Sequence, residues 1–185
     1  MKRFPLFLVL AIGLLGAGQS QAQSNFRFRA IGASAALVNP EQLSNTFGFG
    51  IFADMGQIAP RIGIEPTLEY WSKSEDAFGA SASMRDLSIG ARGKYYFDTT
   101  NPKVRPYAGA GLGLHFLRAE ASVNVPGFGT VSNDASETKL GLDIGGGVAT
   151  AVSPKDDLHA EAWYGLVSDM NQFALRVGLS HKIGL

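Results

Sequence analysis

The sequence predicts an all-β protein: an eight-stranded antiparallel up-and-down transmembrane β-barrel preceded by a cleaved signal peptide. Three observations lead to this prediction. The chain begins with a positively charged, apolar segment, and the remainder shows hydrophobic alternation with a period of two, which is typical of strands. Short connections rich in Pro, Asn and Asp alternate with generally longer ones, as in barrels that cross a membrane.

The N-terminus has the composition of a secretory signal peptide. Lys2 and Arg3 supply a positive start, and Phe4–Gly18 is an uncharged apolar stretch. Small residues then predict a cleavage site that divides the chain into a signal peptide, 1–22, and an exported barrel domain, 23–185. An uncleaved anchor is the alternative, but it needs about 20 apolar residues, and this stretch is shorter.

In the exported domain, each predicted strand places apolar residues on one face and glycine or polar residues on the other. The alternating segments are 26–38, 47–55, 61–70, 87–97, 104–116, 140–148, 158–166 and 173–182. Two long connections, Ser72–Ser83 and Arg118–Glu137, are expected at one end of the barrel. The second of these is predicted to be a hairpin extension above the barrel or a contact surface, because loops carry much of the function of rigid scaffolds.

Alternation alone fits either a soluble lipocalin-like barrel or a barrel in lipid. The polar face is rich in glycine and carries charges of both signs, which suits a narrow lumen in which small residues make room for large ones. Charges there must pair, since an unpaired buried charge is costly. The predicted interior charge network is Arg61, Glu65, Glu69, Arg92, Lys94, Arg105, Asp143, His159, Glu161 and Arg176. Within it, we expect Glu161 and Arg176 to face each other on adjacent strands.

Aromatic residues on the apolar face favour the membrane alternative, because they lie at the ends of strands and flank an aliphatic band. The predicted aromatic girdles are Phe26, Phe28, Tyr95 and Phe97 at one end, and Phe47, Tyr70, Phe116, Tyr164 and Phe173 at the other. A soluble barrel has no reason to sort its aromatic residues by height.

Three segments resemble strands of the small outer-membrane barrels of the OmpA, OmpX and opacity-protein type: Pro106–Gly113, Leu140–Val148 and Leu175–Ser180. The resemblance implies a monomer in the bacterial outer membrane. Its expected partners are outer-membrane lipid and lipopolysaccharide, periplasmic chaperones and the barrel-assembly machinery. Such barrels usually end in an aromatic residue, whereas this chain ends in Leu185, which bears on its assembly.

Composition excludes several functions. Sixteen basic and sixteen acidic residues leave no positive excess for nucleic acid, and the absence of cysteine excludes disulfides and thiolate chemistry. No metal-ligand spacing is present, so no cofactor is expected. His115 and His159 are predicted to face inward and His181 outward, as ordinary network or surface residues.

The predicted function is therefore a non-enzymatic integral outer-membrane protein with a structural or surface-interaction role. A narrow pore for water or small ions is the first alternative, and a soluble lipocalin-like binding barrel is the second. A lipid-trimming enzyme, which would need a serine, a histidine and an acid at the outer leaflet, has no matching motif in the sequence.

Overall fold

The computed structural model describes residues 25–41, 43–77, 80–125 and 129–183. All regular elements in these residues are strands. They are β1 (Asn25–Pro40), β2 (Thr46–Ala59), β3 (Ile62–Ala77), β4 (Ala80–Tyr96), β5 (Val104–Val125), β6 (Gly129–Ala151), β7 (Asp156–Val167) and β8 (Gln172–Lys182). The predicted signal peptide, the side chain of Phe26 and the C-terminal Leu185 lie outside the described residues.

The eight strands form a closed antiparallel barrel in chain order, as predicted. Each strand pairs with the next, and β1 pairs with β8 from Ala30↔Lys182 to Pro40↔Gln172. Among the described residues, no helix has the length and apolar character needed to cross a membrane.

Apolar side chains lie on the outer surface, and the polar side chains of the same strands are buried. Leu112, Leu142 and Val177 are exposed, whereas Arg92 and Lys94 are only 2% and 1% exposed. This is the inverse of a soluble barrel, in which the lumen holds the apolar residues. The distribution matches a barrel whose outer face contacts lipid.

The two long connections are mostly strand: the hairpin extension predicted at Arg118–Glu137 is confirmed, and Ser72–Ser83 forms a second paired extension where only a long connection was expected. β3 and β4 stay paired up to Ala77↔Ala80, and β5 and β6 stay paired up to Val125↔Gly129. The opposite side of the barrel has only short connections at this end, between β1 and β2 and between β7 and β8. A four-stranded sheet formed by β3–β6 therefore extends beyond the rest of the barrel on one side of this end, which we call the mouth.

Candidate functional site: the charged lumen and the protruding sheet

Glycines in the barrel wall make room for the large side chains of the lumen. A Cβ atom on Gly145 would lie 2.8 Å from the ring of Trp163, and one on Gly109 would lie 3.2 Å from it. A Cβ atom on Gly111 would lie 2.7 Å from Cγ of Arg92. The glycine-rich face is thus the inner wall of a packed lumen, and Trp163 is almost completely buried there.

Arg92 is the centre of the middle layer of the lumen. Its guanidinium donates to both carboxylate oxygens of Glu69, at 2.8 and 2.9 Å, and to Oδ2 of Asp143 at 2.9 Å. Arg176 also donates to Glu69, at 2.6 Å. The guanidinium carbon of Arg92 lies 4.6 Å from the ring centroid of Trp163. Two cations and two anions from four strands therefore neutralise one another in the middle of the barrel.

Lys94 holds the next layer towards the short turns. Its Nζ lies 2.6 Å from Glu65 and 2.8 Å from Glu161. Glu161 also accepts hydrogen bonds from the hydroxyl of Tyr107 and from Nε1 of Trp163, the latter at 3.0 Å. These side chains come from four strands and cross the lumen, so this layer ties the barrel together across its diameter.

The prediction that Glu161 and Arg176 face each other is confirmed, but the two side chains do not form an ion pair with each other. The two residues are directly opposite each other in the β7–β8 register. Their charges go elsewhere, however, because Arg176 bonds to Glu69 and Glu161 bonds to Lys94. Strand register alone does not select the partner when carboxylates on other strands also reach into the same lumen.

Arg61 is not an interior residue, which corrects its placement in the predicted network. It lies in the turn between β2 and β3 with a positive φ of 66°. Its side chain is 52% exposed and forms an ion pair with Asp98 at 2.5 Å. At the same end of the barrel, Arg105 and Lys182 share the buried carboxylate of Asp157, at 2.5 and 2.9 Å.

An apolar cluster closes the lumen at the opposite end. Its buried members are Ala36, Val38, Trp71, Leu117, Met170 and Ala174. Leu43 and Met84 pack against this cluster from above. From this mouth to the layer of Lys94, side chains occupy most of the lumen and leave a cavity of about 20 Å³ between Trp71, Glu69 and Arg176.

Each histidine has one polar neighbour. Nδ1 of His115 lies 2.7 Å from the buried Asp86, which the sequence did not single out because it precedes the predicted start of its strand. Nε2 of His159 lies 2.8 Å from Oγ of Ser180, and its Nδ1 has no hydrogen-bond partner, so no acid completes a triad there. The described residues contain no group of three potential metal ligands.

The aromatic residues predicted as girdles lie on the outer surface. Phe28, Phe47, Tyr70, Tyr95, Phe97, Phe116, Tyr164 and Phe173 are between 41% and 73% exposed. Tyr95 and Phe97 pack edge-to-face near the short turns, with ring centroids 5.3 Å apart. Tyr164 and Phe173 face each other in the β7–β8 register towards the other end.

The outer surface changes character abruptly along β3–β6. The register places four residues in one outward row, which we call the boundary row: Tyr70, Leu87, Phe116 and Thr138. The outward row below it is Leu68, Ile89, Leu114 and Leu140. The outward row above it is Ser72, Arg85, Arg118 and Ser136. A ring of apolar residues is followed, one step further along the same strands, by polar and charged residues.

The inner surface changes in the opposite sense. Below the boundary row it carries ionic groups. Above it, Lys73 lies in one inner row with Met84, Ala119 and Ala135, Glu75 and Asn133 lie in the next with Ala82 and Ala121, and Val123 and Val131 lie near the tip. Polar outward positions with largely apolar inward positions are the pattern of a sheet in water. The segments 72–77, 80–85, 118–125 and 129–136 therefore form a water-exposed extension, which we call the protruding sheet.

Much of the inner face and one edge of the protruding sheet are not covered by other described parts of the protein. Val123 is 47% and Val131 65% exposed on its inner face. β6 pairs with β7 only from Gly141↔Val167 onward, so in the described part of the chain residues 129–140 have no neighbour on that edge. β5 extends nine residues beyond Phe116, roughly 30 Å at about 3.3 Å per residue.

Comparison with protein families identifies the family to which this barrel belongs. The model of the outer membrane protein beta-barrel domain matches residues 7–182. The chain belongs to this family. It is an outer-membrane β-barrel, and the alternative of a soluble lipocalin-like barrel is wrong.

Solved structures with similar folds agree with this assignment. The chain is similar to neisserial surface protein A, with 27% identity, a TM-score of 0.61, and coverage of 84% of this chain and 97% of that one. It is similar in fold to Ail, the attachment invasion locus protein of Yersinia pestis, at 18% identity and a TM-score of 0.58, with coverage of 84% and 97%. A major outer membrane protein from Thermus thermophilus has 11% identity, a TM-score of 0.60, and coverage of 84% and 99%. No curated protein matches the chain.

Proposed function

We propose that this barrel is a non-enzymatic outer-membrane protein whose protruding sheet contacts another macromolecule outside the cell. The observation that carries the proposal is the inversion of hydrophobic phase at the boundary row, formed by Tyr70, Leu87, Phe116 and Thr138. An extension of strands into water needs ordered pairing and its own alternation, and a purely structural barrel has no need for one. The related neisserial protein is described as a surface protein, which agrees with this role.

The proposal includes the route by which the protein reaches the outer membrane and its orientation there. A cleaved signal peptide exports the chain, and periplasmic chaperones and the barrel-assembly machinery insert it as a monomer among outer-membrane lipid and lipopolysaccharide. The protruding sheet then faces the outside and the short turns face the periplasm, because barrels of this class carry their longer connections on the outer side.

Cysteine labelling on intact cells tests the orientation. Val131→Cys, at the tip of the protruding sheet, should react with a membrane-impermeant maleimide, and Asn101→Cys, in a short turn, should react only after the cells are lysed. Both positions are exposed, so a difference in labelling reports sidedness. The reverse pattern would contradict the proposed orientation.

A shortened protein tests the role of the protruding sheet. A variant in which 72–83 and 118–136 are replaced by two short turns keeps the closed barrel, so its band should still shift on heating in a gel. A photo-crosslinking residue at Val131 should capture an extracellular macromolecule on intact cells, and the same residue at Asn101 should not. Absence of any crosslink from the protruding sheet, with the barrel folded, would leave only a structural role.

A narrow pore is a second candidate for the lumen, and its filling disfavours it. The apolar cluster around Trp71 and the ionic layers around Arg92 and Lys94 occupy the cross-section at successive heights. We expect the refolded protein to give no stable single-channel steps in a planar bilayer. Regular steps from the wild-type protein would favour the pore.

A further inference from the structure

The short-turn end of the lumen contains a cavity that neither the proposed function nor the packing of the barrel uses. Its volume is about 90 Å³, which is ample for ordered water or a small anion, since about 10–15 Å³ of such space holds one water molecule. Four basic side chains line it: Arg27, Arg29, Arg105 and Lys182. The cavity lies on the opposite side of the ionic layers from the protruding sheet, so it is a separate feature.

Most of the acidic groups around the cavity are already engaged. Asp157 is shared by Arg105 and Lys182, at 2.5 and 2.9 Å. Glu65, which also lines the cavity, is held by Lys94 at 2.6 Å. Asp54 accepts a hydrogen bond from the backbone N–H of Gly56 at 2.7 Å, which leaves its second oxygen as the nearest competing anion.

Arg27 and Arg29 have no such partner. Among the described residues, no carboxylate oxygen lies within the 4.0 Å of an ion pair from either guanidinium. Both residues are exposed at the start of β1, where pairing with β2 shifts register between Phe26 and Ala30. Their donors are therefore not engaged by a carboxylate in the described part of the chain, and both residues line the cavity.

A histidine of the cavity wall adds a second, independent observation. Nε2 of His159 is engaged with Oγ of Ser180, and Nδ1 is buried without a hydrogen-bond partner among the described residues. A buried donor or acceptor without a partner is unusual in proteins and points to a missing ligand or water. Arginine forks bind tetrahedral oxyanions, and Nδ1 of His159 adds an N–H donor in the tautomer in which the Ser180 hydroxyl donates to Nε2.

We propose that this cavity binds a phosphoryl group, with Arg27 and Arg29 as its principal ligands and Arg105, Lys182 and His159 around it. The group comes either from free inorganic phosphate or from the headgroup of an anionic phospholipid in the adjacent leaflet. Phe28 and Ile183 are exposed apolar side chains close to the arginines in the chain and at the cavity, so an acyl chain has apolar groups to contact there.

Isothermal titration calorimetry tests the proposal. The refolded mature barrel is held at fixed ionic strength in a detergent with a sugar headgroup, which contains no phosphate. The probes are inorganic phosphate and a short-chain phosphatidylglycerol, with short-chain phosphatidylcholine for comparison. We expect saturable binding of inorganic phosphate and a loss of about tenfold or more in affinity in the double variant Arg27→Gln, Arg29→Gln, since each lost ionic hydrogen bond weakens binding substantially.

Arg61→Gln is the matched control, because Arg61 lies at the same end of the barrel but outside the cavity and pairs with Asp98. Its affinity should stay within about twofold of the wild type, and heat-shifted gel migration should show that all variants are folded. Tighter binding of phosphatidylglycerol than of phosphate, weakened by the same double variant, would identify the lipid as the source. Binding of phosphate alone would identify the free anion.

Two results would overturn the proposal. One is the absence of saturable binding of either probe by the folded wild type. The other is binding that the double variant leaves unchanged, or that Arg61→Gln reduces as much as the double variant does, because either would place the anion outside the cavity.

Discussion

Replacement of Lys94 by methionine is the sharpest test of the ionic lumen. Lys94 is 1% exposed, and its ammonium is shared by Glu65 and Glu161, whose side chains are 7% and 8% exposed. In the variant, Glu161 keeps its hydrogen bonds from Tyr107 and Trp163. Both carboxylates lose their ion-pair partner in the variant, but only Glu65 is left without any side-chain partner among the described residues.

Removal of one partner from a buried ion pair typically costs about 3–5 kcal/mol. Glu65 also lines the cavity at the short-turn end, where water can reach it, so we expect the lower part of this range, about 3 kcal/mol, in Lys94→Met. The second substitution Glu65→Gln removes the orphaned charge and should restore at least half of the lost free energy of unfolding.

Urea titration of the refolded barrel in lipid vesicles, followed by tryptophan fluorescence, measures these changes. Lys139→Met is the matched control, because Lys139 also lies between two carboxylates, Glu137 at 3.0 Å and Asp169 at 2.9 Å, but both acids are exposed. Exposed pairs contribute little, so the control should unfold close to the wild type. The model of a packed ionic lumen fails if Lys94→Met is no less stable than this control.

Two further predictions concern a wall glycine and a turn. Gly145→Val should lower the free energy of unfolding by about 1–3 kcal/mol, measured by the same urea titration, because its Cβ would lie 2.8 Å from both Cα and the ring of Trp163, whereas Gly93→Ala, with nothing closer than 3.8 Å, should be near neutral. In the turn outside the membrane-spanning segments, the hydroxyl of Ser153 donates to Asp156 and holds the pKa of that carboxyl below its usual range. Ser153→Ala should raise this pKa towards the ordinary value in an NMR titration, so that protonation of Asp156 on acidification begins at a higher pH; an unchanged titration would exclude the hydroxyl as the cause.

The strands and their faces were predictable because they depend on local patterns. Period-two alternation gives the phase of each strand, and Pro, Asn and Asp mark the short turns, so the chain order and antiparallel pairing follow. The inward direction of Glu69, Arg92 and Arg176 could be derived from strand phase alone. Arg61 broke this rule because a turn residue with positive φ no longer has the phase of the strand that follows it.

The protruding sheet was not predicted as strand because its alternation runs in the opposite sense. At Arg118 on β5, the outward positions change from apolar to polar, and from Leu117 onward the inward positions Leu117, Ala119, Ala121 and Val123 are apolar. A pattern search that expects apolar residues on one fixed face ends the strand at Phe116. The signal that could have identified it is the continuing period of two, regardless of which face is apolar.

By itself, the sequence determined that this protein is a barrel and, within the predicted strands, which face enters the lumen, because both depend on neighbours along the chain. Only the tertiary structure decided which charges meet. Closure of the barrel brings together side chains of strands that are not adjacent, as when Lys94 on β4 contacts Glu161 on β7. Each long basic side chain then has several carboxylates within reach. Which of them it contacts depends on the distances across the lumen and on the burial of each group, and the spacing of residues along a strand determines neither.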